Sequence, residues 1–372
     1  MKLIDVCEFI VDCPHSTAAD EGEGYPLIRT PNIGKGHFLL DGVHRVSESV
    51  YNKRNARAVP QNNDLIFARE APAGNVAIIK NDVKMCLGQR TVLIRPNKEK
   101  VNPDFLNYFL LAPQQQYGLL GTANGSTVAH VNLPTIRDLE IDLPPMQTQK
   151  RIADILSAYD ILIENNQKQI KLLEEAAQRL CKEWFVDLRF PGHENVKIVD
   201  GVPEGWSNVA VTDLLEIKYG KDHKGLADGD IPAYGSGGIM RRVNRALYTG
   251  ESVLIPRKGS LNNIMLVRGE FWTIDTMFFS VPKRKNIAKY VYLFLSNVDM
   301  YAMNIGAAVP SMTVKILDGI KLLCPSDEIL ERFENVAEPY FSMVNKLQAQ
   351  NTALAVARDL LLSKLMNEEI EV

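Results

Sequence analysis

"GSTVAHVNLPTIRDLEIDLPP" (Gly125–Pro145) reads as a glycine turn, an alternating strand and a double-proline stop. The chain repeats it 181 residues later as "GAAVPSMTVKILDGIKLLCPS" (Gly306–Ser326): Val128 falls on Val309, Leu139 on Ile320, Ile141 on Leu322 and Pro144 on Pro325. A protein that makes the same turn, strand and stop twice is built on a duplication, and the extent of the match sets the architecture.

Downstream the match continues without a gap. "MQTQKRIADILSAYDILIENNQKQIKLLEEAAQRLCKEWF" lies over "DEILERFENVAEPYFSMVNKLQAQNTALAVARDLLLSKLM", both rich in helix-favouring Leu, Glu, Gln, Lys and Ala. Neither holds a glycine, and the single proline, Pro339, comes early. In the first, Ile152, Leu156, Tyr159, Ile163, Asn166, Ile170, Leu173, Ala177, Leu180 and Trp184 keep a 4-3 spacing. In the second, Phe333, Ala337, Tyr340, Val344, Leu347, Asn351, Leu354, Arg358, Leu361 and Leu365 do the same. Held over about five heptads, this spacing predicts a coiled-coil seam and two helices of roughly 40 residues, ~60 Å each.

Upstream the match is weaker and gapped. "DLIFAREAPAGNVAII" (64–79) corresponds to "SVLIPRKGSLNNIMLV" (252–267), a strand, a charged loop centred on Arg69 or Arg257, and another strand. "CLGQRTVLI" (86–94) corresponds to "WTIDTMFFS" (272–280), "FLNYFLL" (105–111) to "YVYLFLS" (290–296), and "IDVCEFI" (4–10) to "TDLLEIK" (212–218). Strands punctuated by Gly, Asn and Pro turns predict mixed α/β domains. The chain therefore reads as α+β, in the order globular, helix, globular, helix: residues 1–145, 146–190, 191–326 and 327–372. Linkers are expected at 143–146, at 189–206 and around Pro325.

Composition narrows the function. At 372 residues, 46% hydrophobic and 23% charged, the chain is ordinary globular protein with room for two or more cores. No apolar run reaches the ~18–20 residues of a membrane span. Asp5 and Glu8 interrupt the start where a signal peptide needs an apolar run, so a cytoplasmic protein is expected. Five scattered cysteines (Cys7, Cys13, Cys86, Cys181, Cys324) give neither a CxxC pair nor a disulfide framework.

Net charge is −1 over 1–145, zero over 146–190, +3 over 191–326 and −5 over 327–372. Nucleic-acid binders usually carry a stronger basic bias, so a DNA-binding chain of this kind needs a partner to supply positive surface.

The motifs of enzymes are missing. "DLPPM" (142–146) has a leucine between acid and prolines and no aromatic, so it ends a strand rather than forming a methyltransferase motif. No FxGxG-like turn for S-adenosylmethionine, no GxxxxGK[ST] loop and no HxxxH or HExxH pair occurs, and the glycines of "YGSGGIM" (234–240) lack GxGxxG spacing. The run "KRK" (283–285) follows a proline as a solvated turn. These absences favour a binding protein.

Taken with the phrases "NGSTVAHVNLPTIRDLEIDLPPMQTQKRIADILSAYD", "KLLEEAAQRLCKEWF" and "VPEGW", the duplicated plan resembles the specificity (S) subunit of type I restriction–modification enzymes over essentially the whole chain. The first copy departs in lacking a "PEGW"-like lead-in, which shortens its first strand, and the second in "GAAV" for "GSTV" and "CPS" for "LPP". The resemblance implies two target-recognition domains, 1–145 and 191–326, separated by two long helices forming an antiparallel coiled coil with pseudo-two-fold symmetry. Each domain would read half of a bipartite target in double-stranded DNA. Two methyltransferase subunits would dock on the coiled coil and domains, and two restriction subunits would join them. S-adenosylmethionine, ATP and Mg would belong to those partners, with no cofactor, metal or catalytic residue here. A coiled-coil scaffold without DNA reading is the alternative, but it leaves two divergent α/β domains unexplained.

Base readout uses Arg and short polar side chains on loops. The first domain offers Arg29, Asn32, Lys35, Arg69, Asn75, Gln89, Arg90, Ser126, Thr127 and His130. The second offers Tyr234, Ser236, Arg241, Arg257, Lys258, Asn262, Asn263 and Ser311. For antiparallel helices, a register setting Asn166 opposite Asn351 also sets Ile163 against Leu354, Leu156 against Leu361, Ala177 against Tyr340 and Trp184 against Phe333. Sliding by a heptad would bury each amide against aliphatic groups at about 1–3 kcal/mol.

Overall fold

The computed structural model describes residues 1–121, 130–304, 309–367 and 369–372. It divides into two compact units, residues 1–166 with 349–372, and residues 167–348. Each unit holds one globular domain with parts of both long helices, Met146–Phe185 and Asp327–Met366.

In the first unit a four-stranded antiparallel sheet runs in the order Cys7–Asp12, Thr91–Pro96, Leu65–Ala68, Val76–Ile78. The apolar run at Leu65–Ala68 is explained by burial of both sheet faces. Leu65, Phe67, Val92 and Ile94 point to a core shared with Phe105, Leu106, Ile152, Leu156 and Leu362. Ile66, Ala68 and Leu93 point to a second core with Ile28, Ile33 and Met85. The helix Pro103–Leu111 starts on a proline behind Asn102, whose side chain accepts from the Phe105 N–H at 2.9 Å. Gln149, 2% exposed, accepts from the Asn102 N–H and donates to the Pro144 carbonyl, both at 2.9 Å. It ties the first turn of the long helix to the domain.

The second unit carries a six-stranded sheet: Leu215–Tyr219, Met277–Pro282, Tyr248–Pro256, Met265–Thr273, Ile231–Gly235, Gly238–Val243. Its first four strands repeat the order and antiparallel pairing of the first unit. Even single bonds recur between equivalent positions of the two copies. Val131 N–H donates to the Arg69 carbonyl and Met312 N–H to that of Arg257; Leu3 N–H donates to Leu139 and Val211 N–H to Ile320. The parallel bridge Leu27–Cys86 recurs as Ala233–Trp272. The copies differ where the sequence match is gapped. The strand pair Ser207–Ala210 with Lys321–Cys324 shrinks in the first copy to one bridge, Lys2–Glu140.

Both long helices contain 40 residues, the first ending five residues short of the expected 190, the second at Met366 and passing through Pro339. Within the first unit their contacts run in opposite directions. Asn166 Nδ2 donates to Asn351 Oδ1 at 2.8 Å and to Gln350 Oε1 at 3.3 Å, while Asp160 pairs with Arg358 and accepts from the Tyr108 hydroxyl. Within the second unit Trp184 meets Phe333 edge-on at 5.8 Å, and Ala177 and Ala337 share one core. There Lys289, 1% exposed, is surrounded by Glu334 (2.5 Å), Glu338 (2.8 Å) and Glu251 (3.1 Å). Burial pulls its ammonium down, but the three carboxylates outweigh that and the net direction is up. Arg268 bridges Glu251 and Glu338, so the second helix is bolted to the second sheet. Among the described residues, no helix is long and apolar enough to cross a membrane.

Candidate nucleic-acid interface

Topology gathers loops at one end of each sheet. In the first unit Asp12 pairs with Val92 and Ala68 with Thr91, so Asp12, Arg69 and Arg90 leave their strands at the same edge. The Arg69 N–H donates to the Arg90 carbonyl at 3.0 Å. Around it a charged chain closes. Arg69 donates to the Val131 carbonyl (2.9 Å), Asp12 Oδ2 (2.8 Å) and His130 Nε2 (2.8 Å). Because Arg69 donates to Nε2, the His130 proton sits on Nδ1, facing Glu70. Glu70 also pairs with Arg90, which is exposed and holds a left-handed backbone (φ 65°).

The candidate residues of this domain therefore divide by exposure. Arg69 is 9% exposed, with three of its N–H groups engaged. Asn32, 5% exposed, accepts from the Arg29 N–H and donates to the Leu39 carbonyl, and Asn75 donates to the Ile33 carbonyl. These three are braces in the free chain. Asn32 and Asn75 fix the loop that holds Lys35 out to solvent. Gln89 bonds Thr17 and the His15 carbonyl, and Arg29 is half-buried, its Nε without a protein partner. Arg90 and Lys35 are the exposed cations of the set. Ser126 and Thr127 lie outside the described residues.

In the second unit the same sheet end carries Tyr219, Arg257 and the turn at 273–276. The Arg257 guanidinium lies over the Tyr219 ring, 5.4 Å from its centroid, and donates to the Asp275 carbonyl at 3.0 Å. Unlike Arg69 it stays half-exposed, so the two arginines share a chain position but not a side-chain environment. Asn263 donates to the Ser236 carbonyl (2.8 Å), Asn262 accepts from the Met300 N–H, and Lys258 bridges Ser311. Tyr234 is half-buried edge-on to Phe271, and burial pushes its phenol up. These loops converge. Arg241 does not join them: it pairs with Asp228 on the hairpin at the far edge of the sheet.

Sequence reasoning passed over the acids that hold the first cluster, Asp12 and Glu70, and a basic turn in the second. "YGKDHKG" (219–225) exposes Lys221 and Lys224 on the loop that follows Tyr219. A Cβ on Gly220 would stand 1.9 Å from the Ile274 carbonyl oxygen, so only glycine lets the loop lie against the strand end. The signal was there: three cations or histidines behind a glycine at the end of a strand.

Each of the two copies of one α/β domain gathers arginine, lysine and amide side chains on loops at a single sheet end, and each is followed by a long helix. A family model, the type I restriction modification DNA specificity domain, matches residues 1–175 and 203–350, and the chain belongs to that family. The MjaIX specificity subunit of Methanocaldococcus jannaschii is 26% identical over all of this chain and 93% of its own length. The HindI specificity subunit of Haemophilus influenzae is 21% identical over 92% and 94%. The crystal structure of a type I restriction–modification S subunit from M. genitalium superposes with TM-score 0.58 at 18% identity, covering 98% of this chain and 95% of that one, a likeness of fold.

Proposed function

We propose that this DNA specificity subunit reads a bipartite, gapped target in double-stranded DNA, one half by each sheet end, and carries the subunits that modify and cut. The observation behind this reading is the repeated sheet end. The same strand order delivers Arg69 and Arg90 in one copy and Arg257 and Lys258 in the other, on loops whose sequences have diverged while their framework bonds have not. Divergent loops on a common frame suit two different half-sites.

In the finer reading Arg90, Lys35, Arg257, Lys258, Lys221 and Lys224 approach DNA first, and the amides of Gln89, Asn262 and Asn263 follow at base edges. The two helices act as an antiparallel coiled-coil spacer with pseudo-two-fold symmetry between recognition domains 1–145 and 191–326. The Asn166–Asn351 bond pins its register, and each residue added to a helix lengthens the unread gap by about 1.5 Å. Two methyltransferase subunits dock on the helices, where Ile161, Leu162, Val356 and Leu360 are exposed apolar side chains, and two restriction subunits join them. S-adenosylmethionine, ATP and Mg act on those partners, in the cytoplasm, and this chain holds no catalytic residue. Selection from a randomised duplex library, with and without a partner methyltransferase subunit, tests the reading. Enrichment of a split sequence supports it, and enrichment of none points to a scaffold that does not read DNA.

A further inference from the structure

The duplication builds two counterpart cavities that differ in size and in one wall. In the first unit a pocket of about 370 Å³ is lined by Phe105, Phe109, Asp142 and Met366, and one of its walls is the segment Ile370–Val372. Val372 packs there against the domain core. In the second unit the equivalent positions Tyr290, Phe294, Leu323 and Phe185 line a pocket of about 700 Å³. It is nearly twice as large, and no counterpart of the Ile370–Val372 segment lines it. After Phe185 the chain turns at Leu188 (φ 56°) and drives Phe190 into the core against Trp206 (4.8 Å) instead of folding back over the pocket.

The linings also differ in charge. The smaller pocket is lined by Asp142 and Glu371 and no cation; the larger by Arg179, Lys182 and Lys321 and no carboxylate. Lys182 is shared with Asp187 beside it, and Arg179 with Glu175 at 3.5 Å. Val186, 64% exposed, stands among the lining residues.

We infer that the larger pocket of the second unit is a docking site for a partner protein's segment that alternates acidic and aliphatic residues, chemically like the Ile370-Glu371-Val372 wall of the first. The aliphatic side chains replace water over Phe185, Tyr290, Phe294 and Leu322, and the carboxylates face Lys321 and Arg179. The inference stands on the comparison of the two pockets and does not depend on what the loops read.

The probe is a fluorescein-labelled peptide Met-Asn-Glu-Glu-Ile-Glu-Val, titrated with the full chain by anisotropy. Saturable binding is expected, weaker by tenfold or more for the charge-reversed Met-Asn-Lys-Lys-Ile-Lys-Val and for the double variant Val186→Asp, Lys321→Glu, both surface changes. Absence of saturable binding, or binding that peptide reversal or the double variant changes less than twofold, overturns the inference. A second readout needs no variant. With a photoreactive benzoylphenylalanine in place of the peptide's isoleucine, crosslinks are expected within 178–186 and 290–298. Crosslinks confined to Phe105, Phe109 or 144–152 place the peptide in the first unit and overturn it as well.

Discussion

Replacing Arg69 by alanine strips Asp12 and His130 of a buried partner, whereas Arg257→Ala removes a half-exposed cation stacked on Tyr219. Loss of one member of a buried pair costs about 3 kcal/mol or more, and loss of an exposed one about 1 kcal/mol or less. Urea unfolding is therefore expected to show Arg69→Ala as strongly destabilised and Arg257→Ala as near wild type. In DNA selection Arg257→Ala is expected to relax one half-site only. A change confined to the salt dependence of binding would make Arg257 a phosphate contact. The position of the two arginines was legible in the sequence because the repeat equates their loops. Their different burial was not, since Asp12 and His130 lie 57 and 61 residues from Arg69 along the chain. Glu338 gives a pH signature. Hydrogen bonds from Arg268 and Lys289 hold its carboxylate down at about 2, from an ordinary 4.5. A depressed folded-state pKa stabilises above 4.5 and is lost as pH falls toward 2. The stability gap between wild type and Glu338→Gln is expected to be full at pH 6 and to shrink between pH 4.5 and 2; a constant gap would show that the ion pair is not its source.

At the scale of elements, the helices were the most legible part of the chain. A 4-3 spacing is local and self-repeating, and the Pro-Pro stop marks where the first one opens. What that spacing left out is the polar hardware on the flanks. Arg358, counted as a seam residue, turns its guanidinium to Asp160, which also holds Tyr108, and Lys289 is buried among three glutamates drawn from a strand and the second helix. Periodicity does not report such partners, because they come from outside the helix. The Asn166–Asn351 bond is checked by a double-mutant cycle with alanine at each position. A coupling of about 1 kcal/mol is expected, since each single change removes the same Asn166–Asn351 hydrogen bond. Additive effects would mean that each amide is satisfied independently and that the register rests on the aliphatic positions.

For the whole molecule, duplication was read from the offset of 181 residues, and the shared strand order and framework bonds follow it closely. The lengthened strands and the hairpin of the second domain were not legible, because the match is gapped where they occur. A chain whose chemistry is recognition should neither methylate nor cleave DNA alone, and calorimetry of the purified protein is expected to show no S-adenosylmethionine binding; stoichiometric binding would place a methyl-donor site within it. Each copy is proposed to read one half of a split target. This division of the target is tested most directly by exchanging residues 191–326 for the matching domain of another specificity subunit and mapping methylated sites across a genome in cells that supply the methyltransferase subunit. The predicted methylome keeps one half-site unchanged and replaces the other, and a hybrid in which both halves change together, or neither does, would contradict it.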